Sequence, residues 1–133
     1  MCLLKRKNYH IKLDSKPENL TIIRNFFKGI ASKHNINESD TYNILVSIGE
    51  ATTNAIEHGN GGPIEIVCKV IQDTFHVIIK SKGTFSKKVQ FTEEDNFRGR
   101  GILLMLALMD RVNIDGAKDG IIVTMSKKFK QAS

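Results

Sequence analysis

Glu50, Asn54 and His58 recur at four-residue steps within YNILVSIGEATTNAIEHG, residues 42–59, a stretch whose remaining pattern is helical. That spacing puts the three on one helical face. Leu45, Ile48, Thr52 and Ala55 fall on the other side and form a stripe that can pack on a core. A carboxylate and an amide one turn apart suit chemistry on a phosphorylated ligand. The amide oxygen is a hard ligand for Mg²⁺, and the carboxylate can orient a nucleophile or take its proton. Taken alone, polar residues at this spacing describe a solvated helix face, and it is a second stretch that alters the reading.

Phe97-Arg98-Gly99-Arg100-Gly101-Ile102 sets two glycines at the mouth of an apolar helix carrying Leu103, Met105, Leu106 and Met109. Glycines allow close backbone approach, and the free N–H groups of a first helical turn, with the macrodipole, attract phosphate oxygens. Arg98 and Arg100 add charge there. No Gly-Lys-Ser/Thr follows, so this is not a Walker loop.

Elements that must position these groups can be read along the chain. Asn8–Leu13 alternates as a half-buried strand. Ser15, Pro17 and Glu18 predict a capping box opening a helix in which Leu20, Ile23, Phe27 and Ile30 keep helical spacing to about Lys33. His34 reads as a surface residue at that helix end, and Asn37 or Ser39 offers the cap of the next helix. Gly59-Asn60-Gly61-Gly62-Pro63 then stops the helix just beyond His58. Two alternating runs, from Ile64 to Val70 and from Phe75 to Ile79, predict a hairpin around Gln72-Asp73. The polar stretch from Ser81 to Phe97 reads as a lid or binding loop, and Ile121, Val123 and Met125 belong to a last strand. Strands clustered in a hairpin imply a mixed, mostly antiparallel sheet with helices layered on one face.

With 133 residues the chain is expected to be one domain with its own core. No apolar run approaches a membrane span, and the N-terminus lacks a signal-peptide pattern, so a cytoplasmic protein without membrane contact is expected. Cys2 and Cys68 lack metal-ligand spacing and read as free thiols. The net charge of +6 favours polyanionic partners. Its lysines are scattered, however, with no arginine-rich helix, zinc-finger spacing or aromatic RNA-binding signature, so direct nucleic-acid binding is not expected.

In this order, EATTNAIEHGN and RGRGILLMLALMD resemble the N box and the second glycine box of the histidine-kinase-like ATPase superfamily (GHKL), and within it the anti-sigma factor serine kinases. The resemblance runs from the N-terminal strand and helix to the closing GIIVTMSKK strand. It implies an α+β fold, a two-layer α/β sandwich of the Bergerat type with about three helices on one face, spanning residues 1–133 as a single domain. It also implies that ATP or ADP binds with Mg²⁺, that Asn54 holds the metal, and that Glu50 is the general base toward a protein serine hydroxyl or water. Gly99 and Gly101 would bring backbone N–H groups to the phosphates, with Arg98 and Arg100 in or beside a lid, while His58 closes the N box. Partners implied are a sigma factor and a small anti-anti-sigma protein, with a homodimer usual for such proteins.

One position departs from the pattern. Where the family's first glycine box presents Asp-x-Gly toward the adenine amino group, this chain reads Ser81-Lys82-Gly83. Loss of a charge-assisted hydrogen bond costs about 1.5–3 kcal/mol, roughly tenfold to hundredfold in affinity. Two readings therefore stand: a MgATP-dependent serine kinase that sequesters a sigma factor, and a degenerate partner-switching module of the same fold that binds nucleotide weakly or not at all.

Overall fold

The computed structural model describes residues 6–59, 61–82, 100–117 and 120–133, with the side chains of Arg100 and Ala117 outside that description. Five strands form one sheet: β1 (Arg6–Asp14), β2 (Pro63–Ile71), β3 (Thr74–Ser81), β4 (Arg111–Ala117) and β5 (Gly120–Lys128). Their order is β1-β2-β3-β5-β4, and every pairing is antiparallel, so the parallel element of the expected mixed sheet is not present among these strands. The described residues also form three helices: α1 (Asn19–Lys33), α2 (Glu38–His58) and α3 (Arg100–Leu108). None is long and apolar enough to cross a membrane.

Period-two alternation decides which strand residues meet the helices. Ile64, Ile66, Cys68 and Val70 of β2, Phe75, Val77 and Ile79 of β3, and Ile121, Val123 and Met125 of β5 are all buried. They pack with Ile23, Phe27 and Ile30 of α1 and Ile44, Ile48, Ala51 and Ala55 of α2 in one core, where the Phe27 and Phe75 rings meet edge to face at 6.0 Å. Burial pushes the free Cys68 thiol up to about 12, which keeps it protonated and unreactive. The β2–β3 hairpin turns at Gln72, whose φ of 54° is left-handed.

Helix ends are settled by local hydrogen bonds. Asn37 caps α2 by accepting from the Asp40 backbone N–H at 2.7 Å. The capping box expected for α1 does not form. Glu18 occupies the N-cap position without a side-chain cap bond, and the Ser15 hydroxyl donates instead to the Gly62 carbonyl. A tertiary partner across the chain has outcompeted the local one. At its other end α1 closes in a Schellman arrangement: Asn35 N–H donates to Ser32 and Ile36 N–H to Ala31, with Asn35 at φ 52° and Ile36 buried.

Candidate functional site

Helix α2 buries Ile44, Ser47, Ile48, Ala51, Thr52 and Ala55, which leaves the half-buried Glu50 and Asn54 one turn apart on a neighbouring face. The Thr52 hydroxyl donates back to the Ile48 carbonyl at 2.8 Å, so this buried polar group is satisfied within the helix. Ser47 Oγ, equally buried, has no hydrogen-bond partner among the described residues.

The first turn of α3 lies directly against the Glu50 and Asn54 face. A Cβ placed on Gly101 would sit 2.8 Å from Glu50 Oε2 and 3.3 Å from Asn54 Nδ2. Only a glycine lets the helix mouth approach so closely, and it is buried against a carboxylate and an amide. The far end of α3 is tied down near the start of α2. Asp110 N–H donates to the Ser126 carbonyl, and Lys127 Nζ donates to the Leu108 carbonyl at 2.9 Å while lying 3.9 Å from Asp40 Oδ1. The two helices therefore run antiparallel, and that direction brings the N-terminal end of α3, with its free N–H groups, to Glu50 and Asn54.

Ser81 ends β3 on the helix-facing side and is 8% exposed. Its carbonyl lies against Gly120, where a Cβ would approach to 2.7 Å. The C-terminal end of α2 comes to the same edge of the sheet, since a Cβ on Gly59 would be 3.2 Å from the Lys82 carbonyl and would collide with the carbonyl of Ala55. Gly59 has an ordinary negative φ of −77°, so glycine is required there by space and not by backbone conformation. His58 is exposed in the last turn of α2, where a basic side chain complements the helix dipole. The structure thus brings Glu50, Asn54 and Gly101 together and sets Ser81 at the same end of the sheet. Gly83, Arg98 and Gly99 lie outside the described residues; Arg100 opens α3, but its side chain is also outside them.

Among the described residues no three His, Cys, Asp or Glu side chains cluster as a metal site. The metal-binding capacity of this face is therefore one amide beside one carboxylate. Such a set suits Mg²⁺, which keeps several waters and takes the rest of its oxygens from substrate phosphates.

Glu50 also lines a second opening that the sequence did not announce, a groove of about 340 Å³ between α1 and α2 bordered by Arg24, Tyr42, Gly49 and Thr53. Tyr42 is 65% exposed at its lip. Gly49, next to Glu50, adds no side chain to the groove, and a Cβ placed there would meet nothing within 4 Å. Arg24 gave no signal, because an arginine on an amphipathic helix reads as solvated.

The profile of the family described as "Histidine kinase-like ATPase domain" matches residues 13–127. Similar chains include proteins named serine-protein kinase RsbW. The one from Bacillus pumilus is 29% identical over 88% of this chain and 83% of the relative. Another, from Bacillus velezensis, is 28% identical over 88% and 82%, and one from Staphylococcus aureus strain Newman is 25% identical over 91% and 86%. Among solved structures, the RsbU and RsbW domains of Rv1364c from Mycobacterium tuberculosis superpose with a TM-score of 0.77 at 18% identity, covering 96% of this chain and 34% of that one. Acinetobacter baumannii histidine kinase AdeS gives a TM-score of 0.54 at 15% identity, covering 92% and 68%. At those identities the two structures speak to the fold alone.

Proposed function

This chain belongs to the histidine kinase-like ATPase domain family, and on that premise we propose that it is an anti-sigma-type protein serine kinase. In this reading it binds MgATP or MgADP, phosphorylates a serine on a small antagonist protein and otherwise sequesters a sigma factor. The observation that carries the reading is the approach of Gly101 to Glu50 and Asn54, where a Cβ would lie 2.8 Å from the carboxylate oxygen. Close packing of the α3 mouth on Glu50 and Asn54 gathers helix N–H donors, an amide and a carboxylate at one edge, the set of groups that a metal-bound phosphate would need.

When bound, MgATP supplies the phosphoryl group for transfer, and the metal offsets its charge. Asn54 would hold the metal through its amide oxygen, and the N–H groups opening α3 would hold phosphate oxygens. Glu50 would orient the acceptor serine and take its hydroxyl proton. The groove between α1 and α2 gives an acceptor segment a way to reach Glu50 from the side away from α3. Names of the similar chains, serine-protein kinase RsbW, support this choice of reaction.

Calorimetry with MgATP and MgADP tests the reading. Binding at micromolar to sub-millimolar nucleotide that is lost in Asn54→Ala is expected; absence of binding to the parent chain at millimolar nucleotide overturns the kinase.

A second reading, a partner-switching module of the same fold with weak nucleotide affinity, is favoured by one position. The short neutral Ser81 stands where the resembling family carries an aspartate. Ser81→Asp separates the two readings. A rise of about tenfold or more in MgADP affinity would mean that the parent chain is the weakened form.

A further inference from the structure

At the opposite end of the sheet from Glu50, Asn54 and Gly101, the start of β1, the end of α1, the end of β2 and residues 129–131 surround a depression of about 540 Å³. The β2–β3 register fixes how remote it is. Ile64 pairs with Ser81 at one end of β2 and Ile71 with Thr74 at the other, which at about 3.3 Å per residue places the two ends roughly 23 Å apart.

Arg6, Lys7, Lys33 and His34 line this depression, its floor is the buried Val70 and Phe129, and among the described residues no acidic one lines it. Among the described residues none of Arg6, Lys7 and Lys33 has a carboxylate partner, whereas Lys80, Lys127 and Lys128 each have one within 4.0 Å. Lys33 has a local reason to be there, as the basic residue in the last turn of α1. Arg6 and Lys7, on a strand, have none. The Tyr9 hydroxyl and His34 Nε2 are 2.7 Å apart, which fixes the imidazole at the wall of the depression. Burial first, and then Lys33 and Lys7, hold that imidazole below its usual range, as expected where positive charge is not neutralised.

We propose that this depression is a second anion site, separate from the kinase site, that takes a small organic phosphate. One guanidinium fork and two ammonium groups outnumber what a single carboxylate can engage, and they match the several oxygens of a phosphate ester. The volume and apolar floor match a ligand of metabolite size.

The test is an NMR titration of the full chain with ribose 5-phosphate and, separately, with inorganic pyrophosphate. Expected are amide shifts at Lys7, Lys33 to Asn35 and Gln72, together with a rise in the His34 pKa as the anion binds. Arg6→Glu with Lys7→Glu should weaken binding at least tenfold. These side chains are exposed on β1, so the doubly substituted chain should keep its melting temperature, and a chain with unchanged melting shows the loss to be local. Pyrophosphate binding without ribose 5-phosphate binding would replace the organic ligand by inorganic polyphosphate and overturn that part of the assignment. Shifts confined to Glu50, Asn54 and Gly101, or binding that survives the double charge reversal, overturn the site itself. Neither result bears on nucleotide binding at Asn54, so the two proposals fail separately.

Discussion

The two ends of the sheet are finished in opposite ways. At the end holding Ser81, glycines 59, 101 and 120 stand where a Cβ would meet a carbonyl or a polar side chain, so backbone approaches backbone and side chain without filler. At the other end, hydrogen bonds close the gaps: Ile36 bridges Gln131, Asn37 N–H donates to the Lys130 carbonyl, Lys130 N–H donates to Asp40, and Phe129 N–H donates to the Asp73 carbonyl. A segment pinned by its neighbours' backbone groups can fold stably and still present only its side chains outward. The difference teaches that close approach of the backbone, which only glycine permits, holds the first end together, whereas backbone hydrogen bonds hold the second and leave its side chains outward.

The sharpest break would come from Glu50→Ala. If Glu50 is the base, transfer to a serine acceptor falls about a hundredfold to ten-thousandfold while MgADP binding persists. A radiolabel assay paired with calorimetry checks this, and equal loss of both would assign Glu50 to positioning. Next in size is Gly120→Ala, whose new methyl would face the Ser81 carbonyl at 2.7 Å. Because that neighbour is backbone and cannot swing away, destabilisation of about 1–3 kcal/mol is expected in urea unfolding. Gly29→Ala provides the contrast. Gly29 lies in exposed α1 with nothing within 4 Å of a Cβ, and the change should stabilise by about 0.5–1 kcal/mol. Opposite signs for the two substitutions would sustain the argument that glycine near the site is required by space; equal signs would break it.

The smallest effect belongs to the hydrogen-bonded end. His34 is held below the ordinary value of 6.5 in the folded chain, so the unfolded chain takes up that proton first. Its contribution to stability is therefore present above pH 6.5 and declines as pH falls through that value toward the lower folded value. Urea midpoints at pH 7.5 and 5.5 should show a drop for the parent chain that is smaller in His34→Gln. An unchanged pH dependence in that variant would remove His34 as the source.

Much of the fold was legible in residues 6–82 and 100–128. Alternation in β1, β2, β3 and β5 and the apolar stripe of α2 announced their elements, since a half-buried strand or helix must repeat its apolar residues at its own period. The capping box at Ser15 was misread because the motif describes only what is available nearby. The hydroxyl found Gly62, 47 residues away, and no local rule includes that competitor. For the site, the sequence supplied Glu50, Asn54 and Gly101 as separate signals. Arg24 and the α1–α2 groove stayed hidden, because a groove is a gap between two helices and belongs to the sequence of neither.

By itself, the sequence determined that Glu50 and Asn54 share a helical face and that Gly101 opens an apolar helix, because both follow from dihedral geometry over a few residues. Only the tertiary structure decided that α3 runs antiparallel to α2 and delivers Gly101 within a side chain's width of those two groups. It also decided that the cations of β1 and α1 meet at the far end of the sheet. Both outcomes depend on how helices pack and strands register across tens of residues, and the free energy that selects them is carried by the shared core and not by either segment.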